Sequence, residues 1–281
     1  MINRNTSLNY NTKNRAFQEE MPFLLKPAGK DYLWGGQRLR ADFGKESVLN
    51  PLAETWECST HPDGPSLVES GAFAGMPLKE VLKEHPEYLG THPLCNYTKE
   101  QLAAGELPVL IKFIDAKKDL SVQVHPDDEY ARTHENGSRG KTEMWYVLDA
   151  AKDSSLVYGF SQDMEREQLK KSIEDGTIGE YLQKIPVHKN DTFYIEAGTV
   201  HAIGAGCLMA EIQENSNLTY RMYDYDRQDK YGKKRPLHIE RALEVVKLDK
   251  STPPGQPQRV LNYHRGCATE LLCRCRYFQV E

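Results

Sequence analysis

From Leu107 to Phe160 the chain is a succession of short runs rich in β-branched and aromatic residues, LPVLIKFIDA, LSVQVHPDD, EMWYVLDA and SSLVYGF, each bounded by Asp, Gly, Pro or Lys. Runs of this length are too short for helices, and their residue types pack well on a pleated surface, so they predict core strands. Strand follows strand without a helix between, which excludes an alternating βαβ sheet. Between Met21 and about Gly75, FLLK, DYLWGG, ETWECST and SLVESG read as antiparallel strands and hairpins, and HKNDTFYIEAGTVHAIGAG reads as strand, turn, strand. The class is mainly β with helical inserts, a sandwich or jelly roll.

Helical spacing is confined to three places. Pro77 opens PLKEVLKEHPEYLG, where Leu78, Val81, Leu82 and Leu89 recur at near-helical intervals, giving a small insert over about 77–105. Residues 163–185, MEREQLKKSIEDG followed by IGEYLQKI, have helical texture, and Pro236 starts another helix through RPLHIERALEVVKL. STPPGQPQ is a Pro-rich linker, which places a boundary near 250–258 after a main domain of 21–249. Residues 259–281 are too few for a core of their own and read as the start of a small, truncated C-terminal β domain. Residues 1–20 are rich in Asn and charge, lack the apolar stretch of a secretory signal, and read as a disordered leader.

Composition removes several function classes. With 36 Lys+Arg against 41 Asp+Glu the net charge is −5, so no global basic field draws the chain to nucleic acid or an anionic membrane. No window approaches the roughly 18 apolar residues of a spanning helix. Cys58, Cys95, Cys207, Cys267, Cys273 and Cys275 form no CxxC pair, so neither a thiolate zinc knot nor a disulfide framework is indicated, and a reducing cytoplasm fits best. Cys273 and Cys275 read as buried thiols.

The chemistry is concentrated in three motifs. Gln123 and His125 in QVHP stand two apart on a predicted strand and therefore share a face. Glu143 in GKTEMW and His201 in GTVHAIG sit at the ends of other predicted strands, which a β barrel can bring together in its mouth. Two imidazoles, a carboxylate and an amide oxygen make a mixed N/O donor set suited to zinc or another divalent first-row ion. Taken one at a time, the same residues also fit a strand-ending turn, a solvated carboxylate and satisfied core histidines.

LSVQVHPDDEYA, GKTEMWYVLDA and GTVHAIGAGCLMAEIQENSNLTYR closely resemble type I phosphomannose isomerases, zinc-dependent enzymes of the cupin fold. The likeness runs from KPAGKDYLWGGQRL through RPLHIERAL to CRYFQVE, about 260 of 281 residues. It implies a cupin jelly-roll β-barrel, one Zn2+ per chain on Gln123, His125, Glu143 and His201, and reversible isomerisation of mannose 6-phosphate and fructose 6-phosphate through an enediol. It also implies Lys141 facing the substrate, Ser121 near its phosphate, Glu211 as general base, and Arg221 holding the sugar or stabilising developing negative charge. The partner implied is a small sugar phosphate, bound by a cytoplasmic monomer or weak homodimer. Another cupin chemistry of oxygenase type, or a non-catalytic sugar-sensing homologue, are the alternatives. Trp34, Trp56 and Trp145 read as packing aromatics, and His61, His85, His92, His134, His188, His238 and His264 mostly as surface residues.

Overall fold

The computed structural model describes residues 22–89, 98–229 and 231–253, and beyond them the backbone of four short strands. The leader 1–20, residues 90–97 of the insert and residues 254–260 at the Pro-rich linker lie outside the described residues, as do His92, Cys95 and Cys275.

In chain order the strands are β1 (Leu25–Lys26), β2 (Ala28–Lys30), β3 (Glu54–Cys58), β4 (Leu67–Val68), β5 (Val109–Ala116), β6 (Val122–Val124), β7 (Glu143–Ala150), β8 (Ser155–Phe160), β9 (Leu182–Pro186), β10 (Thr192–Ile195), β11 (His201–Ile203), β12 (Cys207–Glu214) and β13 (Tyr220–Tyr223), followed by β14 (Leu261–His264), β15 (Cys267–Glu270), β16 (Cys273–Arg274) and β17 (Gln279–Val280). Eleven of them form two antiparallel sheets, one ordered β10-β7-β12-β5-β3-β2 and the other β13-β6-β11-β8-β9. The mainly-β reading holds. Among the described residues no hydrogen-bonded pairing joins the two sheets, so they are stacked layers and not the single closed barrel expected.

Strand alternation decides what faces the space between the layers. Val122, Val124, Ala202, Tyr220 and Met222 turn outward and pack on helices Arg166–Glu174 and Ile239–Val245 through Leu169, Ile173, Ala242 and Leu243. Gln123, His201 and Arg221, one position out of step, therefore turn inward. A slip of one residue would put these polar groups against the helices and strip burial from several apolar side chains at about 1.5–3 kcal/mol each. Trp145, Val147, Ile114 and Met209 of the larger sheet meet Leu156, Tyr158 and Ile203 of the smaller one in the inner core.

Several segments depart from the expectation. DYLWGG is no strand but a turn, closed by the Gly35 N–H to the Tyr32 carbonyl, with one isolated bridge from Gly35 to Ala116. IGEYLQKI forms a short 3-10 turn at Ile178–Glu180 and then strand β9, because residues 183–186 alternate in exposure and the strand pairs with β8 at the edge, where Pro186 need not donate. HPDDEYARTH contains an unexpected helix, Asp128–His134, whose N-cap Asp127 accepts the Tyr130 N–H at 2.8 Å. The C-terminal helix begins at Ile239, not at Pro236.

Candidate metal centre

Two rows of side chains face each other across the interior. In the smaller sheet Gln123 lies directly opposite His201 on one neighbouring strand and Arg221 on the other, so the three form a transverse line on the inner face. In the larger sheet Glu211 lies between Lys112 and Trp145, and Glu143 precedes Trp145 by two residues on the same face. His125 follows directly after β6 and shares the face of Gln123.

The connections that hold these groups are tight. Gly198 N–H donates to the His125 carbonyl at 2.8 Å, and Lys141 N–H donates to the Pro126 carbonyl at 3.0 Å. Gly140 sits where a Cβ would come within 2.4 Å of the Asp127 and Asp128 backbone, so a glycine lets the GKTE segment approach the HPDD turn. That approach brings Lys141 and Glu143 to His125.

His125 and His201 are each 1% exposed, and Glu143 is fully buried. The carbonyls of Leu218 and Thr199 accept from Nδ1 of His125 and His201, each at 2.8 Å, which leaves both Nε2 atoms unprotonated. These two Nε2 atoms are 3.1 Å apart, and lie 3.7 Å and 3.3 Å from Glu143 Oε2 and Oε1. Among the described residues Glu143 Oε1 has no hydrogen-bond donor. The Gln123 amide completes the group 3.4 Å from His201 Nε2.

Lone pairs thus converge in a buried place. Protonation does not relieve them, because burial pushes the His125 imidazole well below its ordinary value and the His201 imidazole down to about 4. Burial, and the charge of Glu211, push the Glu143 carboxyl up. A cation bound among the three residues removes the conflict, and their ligand atoms all lie within 4.8 Å of one another. The donor set fits a divalent ion of borderline softness.

Of the four candidate ligands Gln123 lines a cavity of about 240 Å³, together with Ser121, Lys141, Trp145, Glu211 and Arg221 among others, and His125, Glu143 and His201 lie behind it. The eight candidate residues Ser121, Gln123, His125, Lys141, Glu143, His201, Glu211 and Arg221 therefore lie in or beside one place. Lys141 Nζ lies 2.9 Å from Glu143 Oε2 and 3.7 Å from Glu211 Oε1. Arg221 Nε donates to the Ser121 hydroxyl at 3.3 Å.

Sequence reasoning missed Lys112 and Glu54. Lys112 Nζ is 3.1 Å from Glu211 Oε1 and 3.9 Å from Glu54 Oε2, all three groups being buried. The available signal was a lysine within the apolar run VLIKFIDA. Its effect on Glu211 is decisive: burial acts to raise that carboxyl, but Lys112, Lys141 and the Trp145 N–H outweigh it and hold it well below the usual carboxylate range. Trp145 and Trp56 are thus more than packing, since their indoles donate to Glu211 and Glu54 at 3.0 and 2.7 Å. His238 is half-buried, and its Nδ1 accepts the Arg221 N–H at 3.1 Å.

Residues 22–149 match the family model for the catalytic domain of type I phosphomannose isomerase. The chain is 41% identical over 262 residues to mannose-6-phosphate isomerase ManA of Bacillus subtilis, covering 92% of this chain and 78% of that protein. It is also 41% identical over 259 residues to mannose-6-phosphate isomerase of Streptococcus mutans, covering 92% and 77%. The crystal structure of a mannose 6-phosphate isomerase from Bacillus subtilis superposes with a TM-score of 0.82 at 34% identity, covering 92% of this chain and 79% of that one.

Proposed function

The chain belongs to the type I phosphomannose isomerase family, and from that premise we propose that it interconverts mannose 6-phosphate and fructose 6-phosphate at the cavity between its sheets. The observation that carries this reading is the buried meeting of His125, His201 and Glu143, with their lone pairs turned on one another, beside Gln123 and Lys141, which line a cavity together with Glu211 and Arg221.

Gln123, His125, Glu143 and His201 would hold one Zn2+ per chain. A divalent ion there supplies Lewis-acid polarisation and orientation of the sugar oxygens. The remaining work falls to the chain's own side chains. Aldose–ketose conversion removes the C2 proton and delivers one to C1, while the proton on O2 leaves and O1 gains one. Glu211, kept ionised by Lys112 and Lys141, takes the carbon-bound proton and returns it one carbon along. Lys141, 4% exposed, faces the oxygens with an ammonium that donates to whichever carries developing negative charge. Arg221 and Ser121 hold the far end of the substrate, and Trp34 and Trp145 exclude water.

The two stacked sheets over residues 21–249 are read as a cupin-type jelly roll carrying the helical insert, with residues 259–281 a small additional β unit. The natural partner is a sugar phosphate, and the working form a cytoplasmic monomer or weak homodimer. No helix among the described residues is long and apolar enough to cross a membrane.

The test is a coupled assay of fructose 6-phosphate formation from mannose 6-phosphate, on protein stripped by chelator and then given back zinc. Activity that disappears and returns with the ion supports the reading. A folded, zinc-loaded protein that turns over no mannose 6-phosphate overturns it.

A further inference from the structure

One end of the cavity carries positive charge that the protein does not neutralise. Asp224, 5% exposed, directly follows β13, and its carboxylate accepts from four donors on two arginines. Arg235 Nε and Nη2 reach Asp224 Oδ2 and Oδ1 at 2.8 and 2.6 Å, and Arg227 Nε and Nη2 reach Oδ1 at 3.2 and 2.6 Å. Among the described residues Arg221, three residues before Asp224, has only neutral acceptors on its guanidinium, the Ser121 hydroxyl at 3.3 Å and the Pro236 carbonyl at 2.9 Å. Among the described residues the cluster of three guanidiniums thus has one carboxylate, bonded to two of them, which leaves two positive charges unmatched. Arg221 is half-buried and feels this directly: burial, and then the charge of Arg235, lower its pKa from the ordinary arginine value.

The cluster is also rigid. Arg221 exchanges backbone contacts with His238, donating to its Nδ1 at 3.1 Å and accepting its N–H at 2.8 Å, so the segment carrying Arg235 is clamped onto β13. Arg227 donates further to the Asp119 carbonyl. Like charges held together by a buried carboxylate and a clamped backbone are preorganised for an anion, and a planar guanidinium fork suits phosphoryl oxygens.

Of the three arginines, Arg221 and Arg235 line the same cavity as Gln123 and Lys141, beside the candidate metal centre. Arg221 stands one strand beyond Gln123 and two beyond His201 in the transverse row, roughly 5 and 10 Å at ordinary strand spacing. A hexose 6-phosphate lying along that row places its phosphoryl group among the arginines when its first two carbons are near the metal centre. We propose that Arg235, oriented by Asp224, joins Arg221 in binding the dianionic phosphoryl group and selects phosphorylated sugars over neutral ones. Asp224 is a positioning residue in this arrangement. The inference rests on the isomerase reading for the identity of the ester, while the anion site stands on the charge cluster alone.

The experiment compares zinc-loaded wild type, Arg235→Ala, Arg235→Lys and the exposed control Lys234→Ala, whose partner is Asp226. Two quantities are read: inorganic phosphate binding by calorimetry, and KM for mannose 6-phosphate with phosphate as inhibitor. The expected result is competitive phosphate binding that weakens about tenfold or more in Arg235→Ala, a matching rise in KM that exceeds any fall in kcat, partial recovery in Arg235→Lys, and no change in Lys234→Ala. Phosphate affinity and KM unaltered in Arg235→Ala would overturn the proposal, as would phosphate inhibition that is not competitive. Asp224→Asn, with the arginine charge retained, should raise KM with little effect on kcat, and an equal loss in both would make Asp224 merely structural. If Arg235-dependent phosphate binding is found in a protein that does not isomerise mannose 6-phosphate, the anion site stands and the isomerase reading fails.

Discussion

Lys112 shows how one side chain sets the state of another. Its ammonium lies between Glu211 and Glu54 and 5.0 Å from the Trp56 ring centroid, so it is charged despite full burial. Lys112→Met leaves buried Glu54 without its cation and Glu211 with Lys141 alone, and breaking one partner of such a group costs about 3–5 kcal/mol. The urea midpoint should fall accordingly. Glu211 also loses its largest stabilising charge, so its carboxyl rises and the acid limb of the kcat/KM profile should move to higher pH; a limb that stays in place removes Glu211 from the rate equation. His125→Ala should lose both bound metal and turnover, whereas Arg221→Ala should keep the metal and lose most turnover. Metal analysis after gel filtration separates the two, and stoichiometric metal in the His125 variant would take that residue out of the coordination sphere.

At the scale of elements, β12 carries chemistry on both faces. Glu211 turns inward to the cavity, while Glu214, 2% exposed, turns the other way and accepts the Thr142 N–H at 2.9 Å. Burial, and then the charge of Asp128, push the Glu214 carboxyl up to about 7. A carboxyl raised on folding binds its proton more tightly in the native state. Its contribution to stability is therefore complete below the unfolded value near 4.5 and is lost as pH rises through about 7. Glu214→Gln should flatten the fall in melting temperature between pH 5 and 8 and leave the variant more stable than wild type at pH 8; an unchanged slope assigns the dependence elsewhere. Elements also mark where local pattern failed. The helix Asp128–His134 was hidden by reading HPDD as a turn, although Asp127 is a good N-cap. Strand β9 looked helical because short polar runs fit either period, and only pairing with β8 decided between them.

For the whole molecule, the candidate ligands come from both layers. Glu143 belongs to the larger sheet, and Gln123, His125 and His201 belong to the smaller one or follow directly from it. An ion held by all four would join the layers as well as serve the chemistry, and its binding energy would add to folding stability. Stripping the metal should lower the melting temperature, and titrating zinc back should raise it in proportion to the logarithm of free ion. In Glu143→Gln that dependence should weaken strongly. A melting temperature indifferent to zinc in the wild-type protein would mean that the sheets are held by their apolar core alone.

Gln123 and His125 were legible as a pair in the sequence because alternation along a strand is local: period two puts them on one face wherever the strand lies. Glu143 and His201 stood out at the ends of other predicted strands, while Lys141, Glu211, Arg221 and Ser121 came from the resemblance to the family and not from spacing. The same locality made the mainly-β class readable from short apolar runs. The stacking of two sheets in place of a closed barrel was not readable, because it depends on which strands pair at long range. Nor were the convergence of Lys112 and Glu54 on Glu211, the rise of Glu214 and the charge cluster around Asp224. Each arises when residues far apart in the chain are brought within a few ångströms in a medium that screens charge poorly, so that burial and partner together set what each group does.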